Sequence, residues 1–141
     1  DPRSASIKDK INMMIKYRES YRPFAPATLW EKASEIFEVS DDYVCDFMEK
    51  VVLVKPNWRS RIPAVTHFDG SARVQTVSKE SDHYFYSVIK NFETLTGIPV
   101  LLNTSFNING EPIVLSPDDA LTTFYNSGLE FLVIENFLIK K

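Results

Sequence analysis

At 141 residues and a formal net charge of −3, the chain has room for one domain with a real core and lacks the basic excess that bulk nucleic-acid binding requires. Hydrophobic residues at 44% and charged residues at 25% describe an ordinary globular domain, and no apolar run approaches the roughly eighteen residues of a membrane span. The single cysteine, Cys45, excludes an internal disulfide and points to a reducing, cytoplasmic compartment.

In chain order, the polar start DPRSASIKDK carries neither a signal peptide nor an initiator methionine, so the chain reads as a piece of something longer. Ile7, Ile11, Met14 and Ile15 recur at helical spacing in ASIKDKINMMIKY, with Ser6 as cap and Asp9 in the first turn. The two prolines of RESYRPFAPATLW make that passage extended, and EKASEIF predicts a short helix over residues 30–37. Cys45 follows in a Tyr-Val-Cys-Asp-Phe setting that suits a small core hydrophobe. FMEKVVLVK, residues 47–55, reads as a strand, PNWRSRIP as a polar elbow, and residues 64–77 as strand interrupted by a turn at Asp69-Gly70. A helix follows in SDHYFYSVIKNFETLTG, with Ser81 as cap, an apolar stripe of Phe85, Val88, Ile89, Phe92 and Leu95, and Gly97 at the C-cap. The apolar run from Ile98 to Leu102 is a strand. Ser116-Pro117-Asp118-Asp119 opens a helix that runs to about Asn126 and stops at Gly128. Two short strands around Glu135-Asn136 close the chain. Strands alternate with helices, so the fold class is α/β with a twisted mixed β-sheet flanked by helices.

Three clusters hold chemistry-bearing residues. IKYRESYRPFAP places Lys16, Arg18 and Arg22 where a helix gives way to extended chain. If that piece is extended, Lys16 and Arg18 share a face. A lysine point charge beside an arginine fork suits phosphate; a solvated basic turn is the plainer alternative. In THFDGSARVQTV, Ser71, Arg73 and Gln75 alternate with Ala72, Val74 and Thr76, a polar row that either meets a polyanionic ligand or faces water on an edge strand. His67 stands before the turn, either as an acid, base or phosphate contact or as a structural hydrogen-bonder. His83, at the polar start of a helix, faces solvent.

The third cluster ends the strand IPVLLN: Asn103, Ser105 and Asn107, then the Asn109-Gly110 turn. It is a turn in either case; with backbone amides turned outward it also cradles an anion. Walker-type and Gly-x-Gly-x-x-Gly loops are absent, as is a Gly-x-Ser-x-Gly elbow, so Ser105 reads as a ligand-holder rather than a nucleophile. No histidine has a partner at metal-ligand spacing, and no metal is expected on this chain.

DPRS, IKYRESYRPFAPATL, HFDGSARVQTV, GIPVLLNTSFNINGEPIV and SPDDAL, in that order over nearly the whole chain, resemble the C-terminal region of the O-carbamoyltransferases, the family of NodU and of antibiotic-tailoring carbamoyltransferases. That region is similar in turn to the YrdC-like domains, which bind ATP and build carbamoyl-adenylates, so the resemblance implies one YrdC-like domain over residues 1–141. It places the family's Lys-x-Arg motif on Lys16 and Arg18, its strand arginine on Arg73, and its Ser-x-Asn loop on Ser105 and Asn107. Lys16, Arg18 and Arg73 are thereby the candidate catalytic cations. The same three, with Arg22, Ser71, Asn103, Ser105 and Asn107, are the candidate nucleotide- and phosphate-binding set, and His67 is a secondary candidate. The implied substrates are carbamoyl phosphate and ATP, with Mg²⁺ travelling on the nucleotide. Iron belongs only to an N-terminal actin-like ATPase-superfamily domain, outside this chain, which transfers the carbamoyl group to an acceptor hydroxyl. A homodimer is an open arrangement, and neither membrane nor nucleic acid is an expected partner. Two other readings stand beside this one: a non-catalytic docking module of the same fold, and threonylcarbamoyl-adenylate synthesis for tRNA modification.

Overall fold

The computed structural model describes every residue from 1 to 141 and has the mixed α/β architecture that the alternation of elements implied. In chain order the elements are α1 (Ser6–Ile11), a π-helical turn (Asn12–Lys16), β1 (Ala25–Leu29), a 3-10 turn (Trp30–Lys32) and α2 (Ala33–Ile36). Then come β2 (Val51–Leu53), α3 (Pro56–Arg59), a 3-10 turn (Pro63–Val65), β3 (Ser71–Arg73), β4 (Gln75–Val77) and α4 (His83–Thr96). β5 (Val100–Asn103), α5 (Pro117–Tyr125), β6 (Phe131–Ile134) and β7 (Phe137–Lys140) complete the chain. These residues form two compact units, Asp1–Lys8 with Pro23–Thr104, and Asp9–Arg22 with Ser105–Lys141. No helix is long and apolar enough to cross a membrane.

In the first unit a three-stranded mixed sheet runs in the order β4-β1-β5, with β1 parallel to β4 and antiparallel to β5. All five residues of β1 are buried, as befits a strand hydrogen-bonded along both edges. Pro26 is why the sequence reads only as extended here, since proline cannot donate to a ladder. The register accommodates it: Pro26 lies opposite Leu102 of β5, and pairing with β4 begins one residue later, with Ala27 opposite Gln75. A small antiparallel pair, β2 with β3, lies apart from this sheet. The expected strand over residues 47–55 is therefore only three residues long. The expected strand over residues 64–77 changes sheets at buried Val74, and its first residues form a 3-10 turn instead.

Ile89 of α4 packs on Ala27, Leu29 and Val77, with Phe85, Tyr86 and Leu101 around them. The stripe is thus rotated from the expected one: Val88 and Leu95 are exposed, and half-buried Tyr86 packs against the core. Tyr86 lays its ring on the core while its hydroxyl, at the surface, donates to the Glu31 carboxylate at 2.6 Å. Asp82 caps α4 by accepting from the Phe85 N–H, while Ser81 is engaged in reciprocal bonds with Ser78. Gly97 ends the helix at φ 72°, as its C-cap position predicts.

The second unit builds its core from Ala120, Phe124 and Leu132, with Phe106, Leu129 and Ile139 against them. α5 opens with a full capping box: the Ser116 hydroxyl accepts from the Asp119 N–H, and the Asp119 carboxylate accepts from the Ser116 N–H. The β6–β7 hairpin turns at Glu135, φ 50°, where the sequence predicted the reversal. The expected first helix differs most. Ser6 lies within α1 and does not cap it, α1 has no buried residue, and the last turn is π-helical with Asn12 and Lys16 inside. Its apolar positions alone predict burial on the face of Ile7, Ile11, Met14 and Ile15, whereas the polar side chains of that last turn have their hydrogen bonds to make in the interior.

Candidate functional site

In the second unit the π-helical turn sets the geometry, and such turns are rare and concentrate at functional sites. The Asn12 carbonyl accepts from both the Tyr17 and the Arg18 N–H, and Tyr17 takes a left-handed conformation, φ 45° and ψ 48°. A non-glycine residue pays roughly 1–2 kcal/mol for that geometry. The chain between Lys16 and Arg18 therefore turns sharply and is not extended, so their closeness comes from the turn and not from a shared strand face. Asn12 is fully buried and organises the segment: Oδ1 accepts from Arg18 Nε at 2.8 Å, and Nδ2 donates to Arg22 O at 3.3 Å and Ser20 O at 3.5 Å. Arg22 itself is half-exposed and paired with Glu19 at 3.1 Å.

Lys16 is 4% exposed and its ammonium is surrounded by oxygen. It lies 2.5 Å from Ser105 O, 3.0 Å from Asn107 O, 2.9 Å from Asn107 Oδ1 and 3.2 Å from Ser105 Oγ. Burial, and then the charge of Arg18, push Lys16 down to about 8. The Ser105 hydroxyl donates to Asn107 Oδ1 at 2.6 Å, and Asn107 Nδ2 donates to Glu111 O at 2.8 Å. These side chains are committed to shaping the loop around the lysine. In contrast, the backbone N–H groups of residues 105–110 donate to no acceptor of the chain, the first return bond being Glu111 N–H to Ile108 O. Gly110, at φ 83°, permits the reversal that follows. Backbone N–H groups left without acceptors beside a buried ammonium can receive an acceptor from outside the chain.

The first unit holds a separate polar cluster. The Ser71 N–H and hydroxyl both donate to Asp69 Oδ1, at 2.9 and 2.7 Å, which holds the Asp69 carboxyl below its usual range. The Ser71 Oγ also lies 3.0 Å from His67 Nδ1. Gly70 turns the loop at φ 81°, with the Arg59 guanidinium packed where a Cβ would stand, 2.7 Å away. Burial lowers the His67 pKa; Asp69 opposes this, and the charges of Arg73 and Lys8 reinforce it. Arg73 is exposed, and its guanidinium makes no hydrogen bond or ion pair within the chain. On the neighbouring sheet Asn103 Nδ2 donates to Gln75 Oε1 at 2.8 Å, and Gln75 Nε2 donates to Asp46 O at 3.0 Å.

The candidate residues thus fall into two sets: Lys16, Arg18, Arg22, Ser105 and Asn107 in the second unit, and His67, Ser71, Arg73 and Asn103 in the first. Asn12 and Asp69 are supporting residues that the sequence did not single out as site residues, whereas Gln75, a member of the polar row, bonds to Asn103 and to the Asp46 carbonyl. For Asn12 a signal existed, a polar residue four positions before Lys16 in a helical stretch. Gly128 does more than stop a helix: its N–H donates to Met14 O at 2.9 Å, and a Cβ there would lie 2.8 Å from Met14 Cβ. A cavity of about 490 Å³ in the second unit is lined by residues such as Pro112, Ile113, Leu115 and Thr122, none of them cationic. No three His, Cys, Asp or Glu side chains converge to hold a metal.

The whole chain, residues 1–141, matches the family model described as Carbamoyltransferase C-terminus. It is 51% identical over its full length to nodulation protein NolNO of Sinorhizobium fredii, covering 21% of that protein. It is 50% identical to nodulation protein NolO of Bradyrhizobium diazoefficiens, covering 26% of it. Nodulation protein U of the latter organism is 44% identical over 77% of this chain. The chain therefore spans only about a quarter or less of these relatives. On a match over its entire length, the chain belongs to the carbamoyltransferase C-terminus family.

Proposed function

We propose that this chain binds ATP and carbamoyl phosphate and forms carbamoyl-adenylate, which a region outside it delivers to an acceptor hydroxyl. Water releases phosphate from carbamoyl phosphate to leave carbamate. A carbamate oxygen then attacks the α-phosphorus of ATP, and the bond to pyrophosphate breaks. The observation that carries this reading is the loop gathered around Lys16, whose six consecutive N–H groups, residues 105–110, lack acceptors. Such a row binds phosphate oxygens without needing to reorganise as charge shifts during phosphoryl chemistry.

Lys16 supplies positive charge to that row and holds its curvature, so its contribution is positioning as well as electrostatic. Arg18 is fixed by Asn12, and Arg22, paired with Glu19 at the surface, is a lesser contributor. Arg73, with no partner in the chain, is suited to direct contact with a phosphate. The donor set offers no carboxylate cage for a divalent cation, which fits Mg²⁺ only as a companion of the nucleotide phosphates. ATP as substrate and the buried, unpaired Cys45 both suit a cytoplasmic setting.

Calorimetric titration with ATP–Mg²⁺ and with carbamoyl phosphate tests the reading. Saturable binding of both ligands by the chain, with that of ATP–Mg²⁺ lost in Lys16→Ala and weakened in Ser105→Ala, is the expected result. Absence of heat with both ligands on the folded chain would refute it.

A further inference from the structure

The first unit contains a histidine whose protonation pattern is fixed by its neighbours. Asp69, with its carboxyl held in the ionised form, accepts two hydrogen bonds from Ser71 through one oxygen, and the Ser71 hydroxyl has only one proton to give. With that proton directed at Asp69, Ser71 Oγ accepts a hydrogen bond from the N–H of His67 Nδ1, 3.0 Å away. Neutral His67 therefore carries its hydrogen on Nδ1 and a lone pair on Nε2. Nε2 makes no hydrogen bond within the chain, and it is not among the buried polar atoms lacking a partner, of which the Tyr43 hydroxyl is the sole example. It is open to a donor from outside.

Ser71 and Arg73 are two apart on β3 and share one face of that strand, about 7 Å apart along it. Through its bond to Ser71, His67 belongs to the same face as the unpartnered guanidinium of Arg73. The two groups want opposite things. Arg73 offers a fork of donors to an anion, while His67 offers an acceptor to an N–H or O–H. A small ligand satisfying both has an anionic group at one end and a hydrogen-bond donor at the other.

We propose that His67 is the specificity residue for the carbamoyl group: its Nε2 accepts from the –NH₂ of carbamoyl phosphate while Arg73 holds the phosphate. This rests on the reading that the chain binds carbamoyl phosphate. Acetyl phosphate matches that ligand in shape and charge but carries a methyl in place of the amine. It would leave Nε2 facing carbon, and a site built around a hydrogen bond rejects an analogue that cannot make it.

The test is titration of carbamoyl phosphate, acetyl phosphate and inorganic phosphate into the chain and into His67→Ala, His67→Gln and Arg73→Ala, each checked for folding by thermal melting. The chain itself should prefer carbamoyl over acetyl phosphate by roughly tenfold or more. His67→Ala should abolish the preference by weakening carbamoyl phosphate alone, and His67→Gln, which retains an acceptor, should keep part of it. Arg73→Ala should weaken all three ligands. Equal loss of all three in His67→Ala would make the histidine an anion contact and overturn the proposal, as would an unchanged preference. Should His67→Ala fail to fold, the preference of the unmodified chain and its partial retention in His67→Gln decide the matter. Binding of both acyl phosphates without preference would sink the role of His67 and leave the proposed function intact. Binding of none of the three would instead strike the proposed function, and this inference with it.

Discussion

Lys16 and Arg73 were both singled out as phosphate-binding cations, and their surroundings differ in kind. Lys16 is buried, and four oxygens of its own unit stand within 3.2 Å of its ammonium. Arg73 is exposed and has no partner in the chain. A cation satisfied from within shapes the structure around it, whereas a cation left unsatisfied is available to a ligand. The same charge therefore serves two tasks, and the variants that break each should separate stability from affinity.

The largest effect is expected at Lys16. Lys16→Ala strands Ser105 O and Asn107 O without their donor and takes one of two donors from Asn107 Oδ1, which should destabilise the second unit by about 3 kcal/mol and reduce ATP affinity at least tenfold. Thermal melting and titration together measure this. Next is Gly128→Ala, whose added Cβ would press on the Met14 Cβ and carbonyl. It should cost about 2 kcal/mol and weaken ligand binding indirectly, by disturbing the turn that carries Lys16. Arg73→Ala should leave the melting temperature nearly unchanged, within about 0.5 kcal/mol, while affinity falls about tenfold. An equal fall in stability would make Arg73 a structural residue and dissolve the contrast.

A smaller, pH-dependent effect sharpens the same contrast. The Lys16 pKa is about 8 in the folded chain, against 10.5 ordinarily, so between those values the unfolded chain holds more protons. Stability contributed by Lys16 should therefore rise as pH climbs from about 8 toward 10.5, because the cost of burying its charge is relieved. Phosphate affinity should move the other way, falling as the ammonium is lost through about pH 8. The difference in melting temperature and in affinity between the chain and Lys16→Met, followed across that window, shows whether the two signs are opposite.

Local signals made much of this molecule legible. Gly97, the Ser116 capping box and the Glu135 reversal lie where short-range chemistry placed them, because caps and turns are decided by neighbours a few residues away. Long-range choices were harder. β1 reads as merely extended because the tolerance for Pro26 depends on where a distant strand begins. Tyr86 is no part of the stripe that helical spacing predicts, since the face of α4 that meets the sheet is chosen by distant strands, and the chain's change of sheet at Val74 depends on two separate partners. The candidate cations were visible as residue types, and the resemblance to the family marked them. What no local pattern conveyed was the use of each one: the π-helical turn centred on Asn12 hides Lys16, and the Asp69–Ser71 bonds set the tautomer of His67. Both arise from side chains completing their hydrogen bonds, which periodicity does not encode.

The central claim is that the Lys16-held loop, through its own backbone, is where the phosphates of ATP bind. Amide-resolved NMR titration of ATP–Mg²⁺ into the chain and into Lys16→Ala tests it most directly. The account predicts saturable shifts of the residue 105–110 amides in the chain and their loss in the variant. Saturable binding that leaves those six amides unmoved would contradict it.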